Sequence, residues 1–203
     1  MSAFLLCNNA VSKAGAYLEP SHGKEVQQVE RKLILDEKAM ERAIARISYE
    51  IIERNKGADE LCVVGILSRG AELAGRIAGK ISQIENKRVP CGVLDITAFR
   101  DDSKKETAGD DQTDLPFPIE GKRVVLVDDV IYTGRSARSA MEAVMKRGRA
   151  KAIQLAALVD RGHRELPIRA DFIGKNLPTS KQETVQVLVK ERDGINSVYI
   201  LSE

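Results

Sequence analysis

The sequence predicts an α/β fold, a central and mainly parallel sheet flanked by helices, with a long flexible hood or lid loop over one end. Three observations carry that expectation. Apolar runs of strand length alternate with segments of helical period, the pattern of βα units whose right-handed crossovers build a parallel sheet. The run Arg123–Val127 is apolar at every position after Arg123, as a strand covered on both faces must be. Finally, 203 residues with 43% hydrophobic and 31% charged content suffice for one core of ordinary globular composition.

Residues 1–30 show no sustained period, contain Gly15, Pro20 and Gly23, and read as an N-terminal extension of uncertain order ahead of one domain over 31–203. Asp36 then suits an N-cap. Met40, Ile44, Ile47 and Ile51 follow at helical spacing until Gly57 ends the helix. Leu61–Leu67 reads as a strand, Ala71–Ile84 as a helix and Cys91–Thr97 as a second strand. Arg123–Val127 is the third strand, Ser136–Arg147 a helix closed by Gly148, and Ile153–Val159 the fourth strand. Asp171–Ile173 is a short fifth strand, Val185–Val189 a sixth, and Val198–Leu201 a candidate terminal strand.

Between Phe99 and Lys122 the periodicity stops. The stretch carries Asp101, Asp102, Lys104, Lys105, Glu106, Asp110, Asp111 and Asp114, then Pro116 and Pro118. Loops of this length in compact domains are functional lids or unstructured segments. Composition fits either a lid or a solvated excursion, and part of the stretch suits a hairpin. Its position just before the strand at Arg123 favours a lid.

The net charge of +2 does not announce a nucleic-acid binder, so any basic footprint must be local. No apolar stretch approaches a membrane span, and Met1–Cys7 lacks the basic and apolar regions of a signal peptide. Cys7, Cys62 and Cys91 are odd in number and far apart, which argues against a disulfide framework or zinc site and favours a cytoplasmic setting. Cys62, within an apolar strand, reads as a small core residue.

The chemistry concentrates in Val124–Ser136. An apolar strand ends in the acidic pair Asp128 and Asp129, where open α/β sheets bind ligands. Val130, Ile131 and Tyr132 follow, and Thr133, Gly134, Arg135 and Ser136 bring N–H groups and hydroxyls to a helix start, an anion site. Paired carboxylates after a strand also occur in metal-binding hydrolases and response-regulator-like folds. A plain acidic turn before a capped helix is the bland alternative. Neither a Gly-x-x-x-x-Gly-Lys-Ser/Thr loop nor a Gly-x-Gly-x-x-Gly turn follows a strand. One βα unit earlier, Gly65–Gly70 repeats the arrangement, with Ser68 and Arg69 on a glycine-flanked turn suited to a second anion.

The stretch Val124–Ser136 resembles the phosphoribosyl pyrophosphate (PRPP) motif of type I phosphoribosyltransferases. Asp95-Ile96-Thr97, Arg100-Asp101-Asp102, Gln154–Asn176 and Pro178-Thr179-Ser180 are similar to the PyrR family, from about Leu33 to the C-terminus. These proteins are pyrimidine-operon attenuators with uracil phosphoribosyltransferase activity. The resemblance implies the type I phosphoribosyltransferase fold, with Asp128 and Asp129 on the ribose hydroxyls, residues 130–136 around the 5-phosphate, and Ser68 and Arg69 on the pyrophosphate. That pyrophosphate turn often holds a non-proline cis peptide in the family. Arg100 would belong to the hood, and Arg161, Ile173 and Val185 would frame uracil. Mg2+ would arrive through PRPP, near Asp128 and Asp129. PRPP, uracil and UMP are the implied small-molecule partners, and the apolar helix faces suit a homodimer or higher assembly.

The resemblance also implies binding of a pyr mRNA leader hairpin. Arg42 and Arg46 share a helix face, and Arg46, Tyr49, His163, Arg164, Arg169 and Lys175 are the candidate RNA contacts. Alternatively the helix charges solvate that face or pair with Glu41 and Glu50. The chain departs from the family pattern at three places. Ala45 and Tyr49 stand where attenuators carry Thr and His, and Leu67 replaces a Lys in the pyrophosphate turn. Two further readings stay open: an RNA regulator using the PRPP site as a nucleotide sensor, and a phosphoribosyltransferase for another base.

Overall fold

The computed structural model describes residues 30–101 and 110–202. The extension expected over residues 1–30 and the loop residues Asp102, Lys104, Lys105 and Glu106 lie outside the described residues, apart from Glu30. Cys7 lies outside them too.

In chain order the elements are β1 (Glu30–Leu35), α1 (Glu37–Asn55), β2 (Leu61–Ile66), α2 (Arg69–Glu85), β3 (Cys91–Leu94) and a single 3-10 turn at Thr97–Phe99. Then come β4 (Arg123–Ile131), α3 (Arg135–Arg147), β5 (Ala152–Asp160), β6 (Phe172–Asn176), β7 (Thr184–Leu188), α4 (Lys190–Asp193) and β8 (Ser197–Ser202). A five-stranded parallel sheet has the order β3-β2-β4-β5-β6, and a three-stranded antiparallel sheet the order β1-β8-β7.

Strand β4 lies at the centre, and its side chains alternate between two cores. Val125 and Val127 face Met40, Ile47, Ile51, Leu73, Ile77 and Ile81 of α1 and α2. Val124 and Leu126 face Ala137, Ala140, Ala143 and Val144 of α3, joined by Cys62 and Leu94. Val124, Val125, Leu126 and Val127 are all buried. Burial on both faces is why this run carries no polar residue before the acidic pair. Asp36 caps α1 as expected, accepting the Ala39 N–H at 2.7 Å.

Three expectations change. Strand β4 continues to Ile131, so Asp128 and Asp129 lie within its last turns of pleat rather than just beyond it; Asp128 still pairs with Ala157 of β5. The segments near Val185 and Val198 leave the parallel sheet. Residues 189–196 that join them are too short for a parallel crossover, so β7 and β8 pair antiparallel. Strand β1 was not anticipated: Glu30, Arg31 and Lys32 are exposed and only Leu35 is buried, a polar edge strand without alternation. The loop after Phe99 returns to the sheet as well. Asp114 forms an antiparallel bridge with Val93, with N–H to O distances of 2.8 and 2.9 Å.

Candidate nucleotide and anion site

The parallel sheet brings the two glycine-bearing turns side by side, because β2 and β4 are neighbours in register from Leu61↔Arg123 to Gly65↔Val127. Each turn leads into a helix, α2 or α3, whose first N–H groups have no partner within the helix. A cavity of about 300 Å³ is lined by Leu67, Ser68, Arg69, Asp95, Thr97 and the acidic pair. A second, of about 440 Å³, is lined by Tyr132, Thr133, Gly134, Arg135 and Ser136. Arg100, Asp128, Val130 and Ser136 line both. Thus Asp128 stands between the two turns. A larger cavity of about 1110 Å³ lies between α1, α2 and α4, away from these groups, with charges of both signs around it.

Both turns are held in unusual backbone shapes. Ser68 has φ 96° and ψ −131° and makes no side-chain cap bond, which leaves its hydroxyl uncommitted at the helix start. A non-glycine residue there stores local strain, a cost found mostly at functional sites. No peptide bond among the described residues is cis, so this turn lacks the cis peptide that the family often holds there. Helix α2 begins at Arg69, two residues earlier than the sequence suggested, and α3 begins at Arg135. Gly134 precedes it at φ 93°, a conformation that glycine adopts freely.

The carboxylates are oriented by the chain itself. Asp128 accepts the Asp129 N–H at 3.0 Å, and Asp129 the Val130 N–H at 2.8 Å. Burial pushes the Asp128 carboxyl well above the ordinary carboxylate range, and the adjacent Asp129 charge pushes it further. Arg69 is held by Asp193 through bonds of 3.0 and 2.8 Å. Arg135 bonds Glu165 at 2.7 Å and also Asp101 in the loop after Phe99. Asp95 and Thr97 are site residues that the sequence did not single out for the cavity. Asp95 accepts the Thr97 N–H at 2.8 Å and its hydroxyl at 2.6 Å, which fixes that hydroxyl at the rim. The resemblance marks Asp95 and Thr97 in the sequence, but their place at the cavity depends on β3 lying beside β2.

Arg161 is buried at 7% exposure and ties three segments together. It bonds the Thr179 hydroxyl at 3.1 Å and the Ser180 and Glu183 carbonyls at 3.2 and 2.6 Å. Its guanidinium lies over the Tyr132 ring at 4.1 Å, which brings it to the edge of the second cavity. Ile173 on β6 and Val185 on β7 lie outside the lining of both cavities.

The candidate RNA residues divide. Tyr49 is 55% exposed, and His163, Arg169 and Lys175 are exposed as well. His163 sits at φ 56° with its ring against the Thr179 carbonyl. Arg46 bonds the Ile173 carbonyl at 3.1 Å and the Gly174 carbonyl, and lies 3.7 Å from Glu50. Arg164 is spent on internal contacts with Asp160, Tyr132, Ile168 and Gly162. Carbonyls of β6, with Glu50 nearby, thus engage Arg46, and the loop backbone and Asp160 engage Arg164.

Among the described residues no helix is long and apolar enough to cross a membrane, and no cluster of three or more His, Cys, Asp or Glu residues could hold a metal ion.

Residues 30–192 match the phosphoribosyl transferase domain family. The chain is 55% identical over 171 residues to the bifunctional protein pyrR of Enterococcus faecalis, covering 84% of this chain and 96% of that protein. It is likewise 55% identical over 174 residues to the bifunctional protein PyrR of Pelotomaculum thermopropionicum, covering 85% and 96%. Among solved structures, a hypoxanthine phosphoribosyltransferase of Trypanosoma cruzi superposes with a TM-score of 0.65 at 16% identity, covering 84% and 96%. One from Staphylococcus aureus gives 0.60 at 20% identity, covering 75% and 79%. At such identities the solved structures speak for the fold alone.

Proposed function

The chain belongs to the PyrR family of phosphoribosyltransferases, and from that premise we propose that it joins uracil to PRPP, giving UMP and pyrophosphate, and regulates pyrimidine genes. The observation that carries the catalytic half is the acidic pair set between two anion-facing turns on neighbouring parallel strands. In this reading Asp128 and Asp129 hold the ribose hydroxyls. Residues 130–136 hold the 5-phosphate, Ser68 and Arg69 hold the pyrophosphate, and Arg100 closes over both. Arg161 reaches the base beyond Tyr132, while Ile173 and Val185, expected to frame it, lie outside both cavities.

The reaction forms the uracil N1–ribose C1 bond and breaks the C1–pyrophosphate bond, with the N1 proton passing to solvent. Positive charge develops on the ribose ring as the leaving group departs. Carboxylate charge at that ring, carried by Asp129 while the buried Asp128 favours its proton, stabilises it, and a covered site strengthens the effect. Holding both substrates in line supplies much of the remaining acceleration. Mg2+ fits a site whose donors are hard carboxylate oxygens, and it would be held chiefly through PRPP oxygens with Asp128 and Asp129 beside it. When bound it neutralises charge on the diphosphate. UMP, a homo-oligomeric assembly and a cytoplasmic setting without a membrane partner complete the proposal.

The regulatory half predicts UMP-dependent binding of a pyr leader hairpin through exposed Tyr49, Arg169 and Lys175, with His163, Arg46 and Arg164 shaping the surface. Such a single-stranded loop is read by stacking and hydrogen bonds. The test of the catalytic half is Asp129→Asn, assayed for UMP formation and by circular dichroism. A folded protein without turnover is expected, and wild-type turnover would overturn the assignment. Assays with uracil, hypoxanthine, guanine and orotate identify the base. Hairpin titration with and without UMP tests the regulator, with loss of affinity in added salt expected.

A further inference from the structure

Three consecutive side chains of α4 pair, in reverse order, with one face of α2. Glu191 meets Arg76, Arg192 meets Glu72 at 3.1 Å, and Asp193 meets Arg69. Arg69, Glu72 and Arg76 recur along one stripe of the helix. The order Glu-Arg-Asp thus runs antiparallel to Arg-Glu-Arg, and this charge zipper ends at the turn that carries Ser68 and Arg69.

Its links are unequal. Glu191 and Arg192 are each 43% exposed at the side chain, and exposed pairs contribute little in water. Asp193 is 18% exposed and takes Arg69 in a two-bond fork, which is both stronger and directional. Asp193 is itself fixed, because it also accepts the Val189 N–H at 2.8 Å. The fork takes up Nε and Nη2 of Arg69, and among the described residues Nη1 is the edge left for an anion. The carboxylate of Asp129 lines the same cavity as Arg69 and is another acidic partner for it there. Without Asp193 the guanidinium would be drawn toward the acidic pair and across the space assigned to ribose.

We propose that Asp193 is a positioning residue for PRPP. It holds Arg69 away from Asp129, with one edge of its guanidinium facing the pyrophosphate. The inference rests on reading Ser68–Arg69 as the pyrophosphate turn. It also gives the antiparallel sheet a task, since β7, α4 and β8 deliver a carboxylate to a site built on the parallel sheet.

The experiment compares steady-state kinetics of the full chain with Asp193→Asn and Glu191→Gln. Asparagine keeps the shape but turns either an N–H2 or a single acceptor toward the guanidinium, so the fork is lost. Asp193→Asn is expected to raise KM for PRPP about five- to tenfold and to weaken inhibition by added pyrophosphate equally. KM for uracil stays within about twofold, and kcat changes less than KM for PRPP. Glu191→Gln, which cuts the zipper without touching Arg69, leaves all of these unchanged. An unchanged KM for PRPP in Asp193→Asn overturns the proposal. So does a fall in KM, which would make Asp193 a competitor of the anion, or an equal effect of Glu191→Gln, which would make the zipper merely structural. If Asp193→Asn fails to fold, Asp193→Glu displaces the fork by one methylene and carries the same test. Its KM for PRPP should rise at least about threefold, and no rise overturns the proposal. Arg69→Ala separates the two levels. If it leaves KM for PRPP unchanged, the reading of the turn fails; if it alone raises KM, the turn stands and only the role of Asp193 falls.

Discussion

Gly70 offers the sharpest test of how the fold holds the site together. It lies in the first turn of α2, where a Cβ would come within 2.6 Å of the Val127 carbonyl oxygen and 3.4 Å of Asp128 Cα. Relieving the first contact requires α2 and the end of β4 to separate by roughly 0.5–1 Å, since carbon and oxygen repel steeply below van der Waals distance. Overpacking of this kind costs about 1–3 kcal/mol. Replacing a helical glycine returns about 1 kcal/mol of that, so the net loss for Gly70→Ala is up to about 2 kcal/mol. At about 2–4 °C per kcal/mol for a chain of this size, Tm falls by no more than about 8 °C. Activity should suffer far more. The same displacement moves Arg69 and Asp128 relative to each other, and misplacement near 1 Å costs on the order of 10²-fold in rate. The assay is kcat/KM for PRPP beside a thermal melt, with Gly75→Ala as control. Gly75 lies on the same helix with nothing near its absent Cβ, and should keep activity with equal or higher Tm. Gly70→Ala within about threefold of wild-type kcat/KM would refute the reasoning.

The bond from Arg69 holds the Asp193 carboxyl below its ordinary 3.8. A depressed carboxylate stabilises the fold above 3.8, and that contribution is lost as pH falls through the lower folded value. The Tm gap between wild type and Asp193→Asn should therefore hold from about pH 8 to about pH 5 and close in stronger acid; a gap that widens on acidification contradicts the pairing. Burial pushes the Cys62 thiol up to about 12, and its side chain is fully covered. Mass spectrometry after thiol labelling at about pH 8 should find the Cys62 peptide unmodified until the protein is denatured. Arg169→Ala should weaken leader-hairpin binding and reduce its salt slope by about one contact without moving Tm. Arg164→Ala strips several internal hydrogen bonds and should cost about 1–3 kcal/mol in urea melts, whatever it does to RNA.

What was legible in the chain follows the range of the forces that encode it. The N-cap at Asp36, the periods of α1, α2 and α3, and the apolar run of β4 are written within a few residues, because helix and strand burial repeat locally. Strand β1 was not legible, since an exposed edge carries no such repeat. The placement of β7 and β8 in a second sheet followed from the length of a connection more than from composition. Arg46 and Arg164 looked alike as surface cations, yet the structure uses both in backbone contacts that no local pattern marks.

By itself the sequence determined that two helix-opening turns and an acidic pair stand at strand ends in an α/β domain. Tight turns, glycines and apolar runs are local chemistry, and their order along the chain is enough to declare them. Only the tertiary structure decided how these pieces meet. Parallel pairing of β2 with β4 sets the turns side by side, β3 brings Asp95 and Thr97 to the rim, and α4 carries Asp193 to Arg69 across 124 residues of chain. Contacts between charged groups so far apart leave no periodic trace, because their cost and benefit depend on burial and direction that exist only once the sheets have formed.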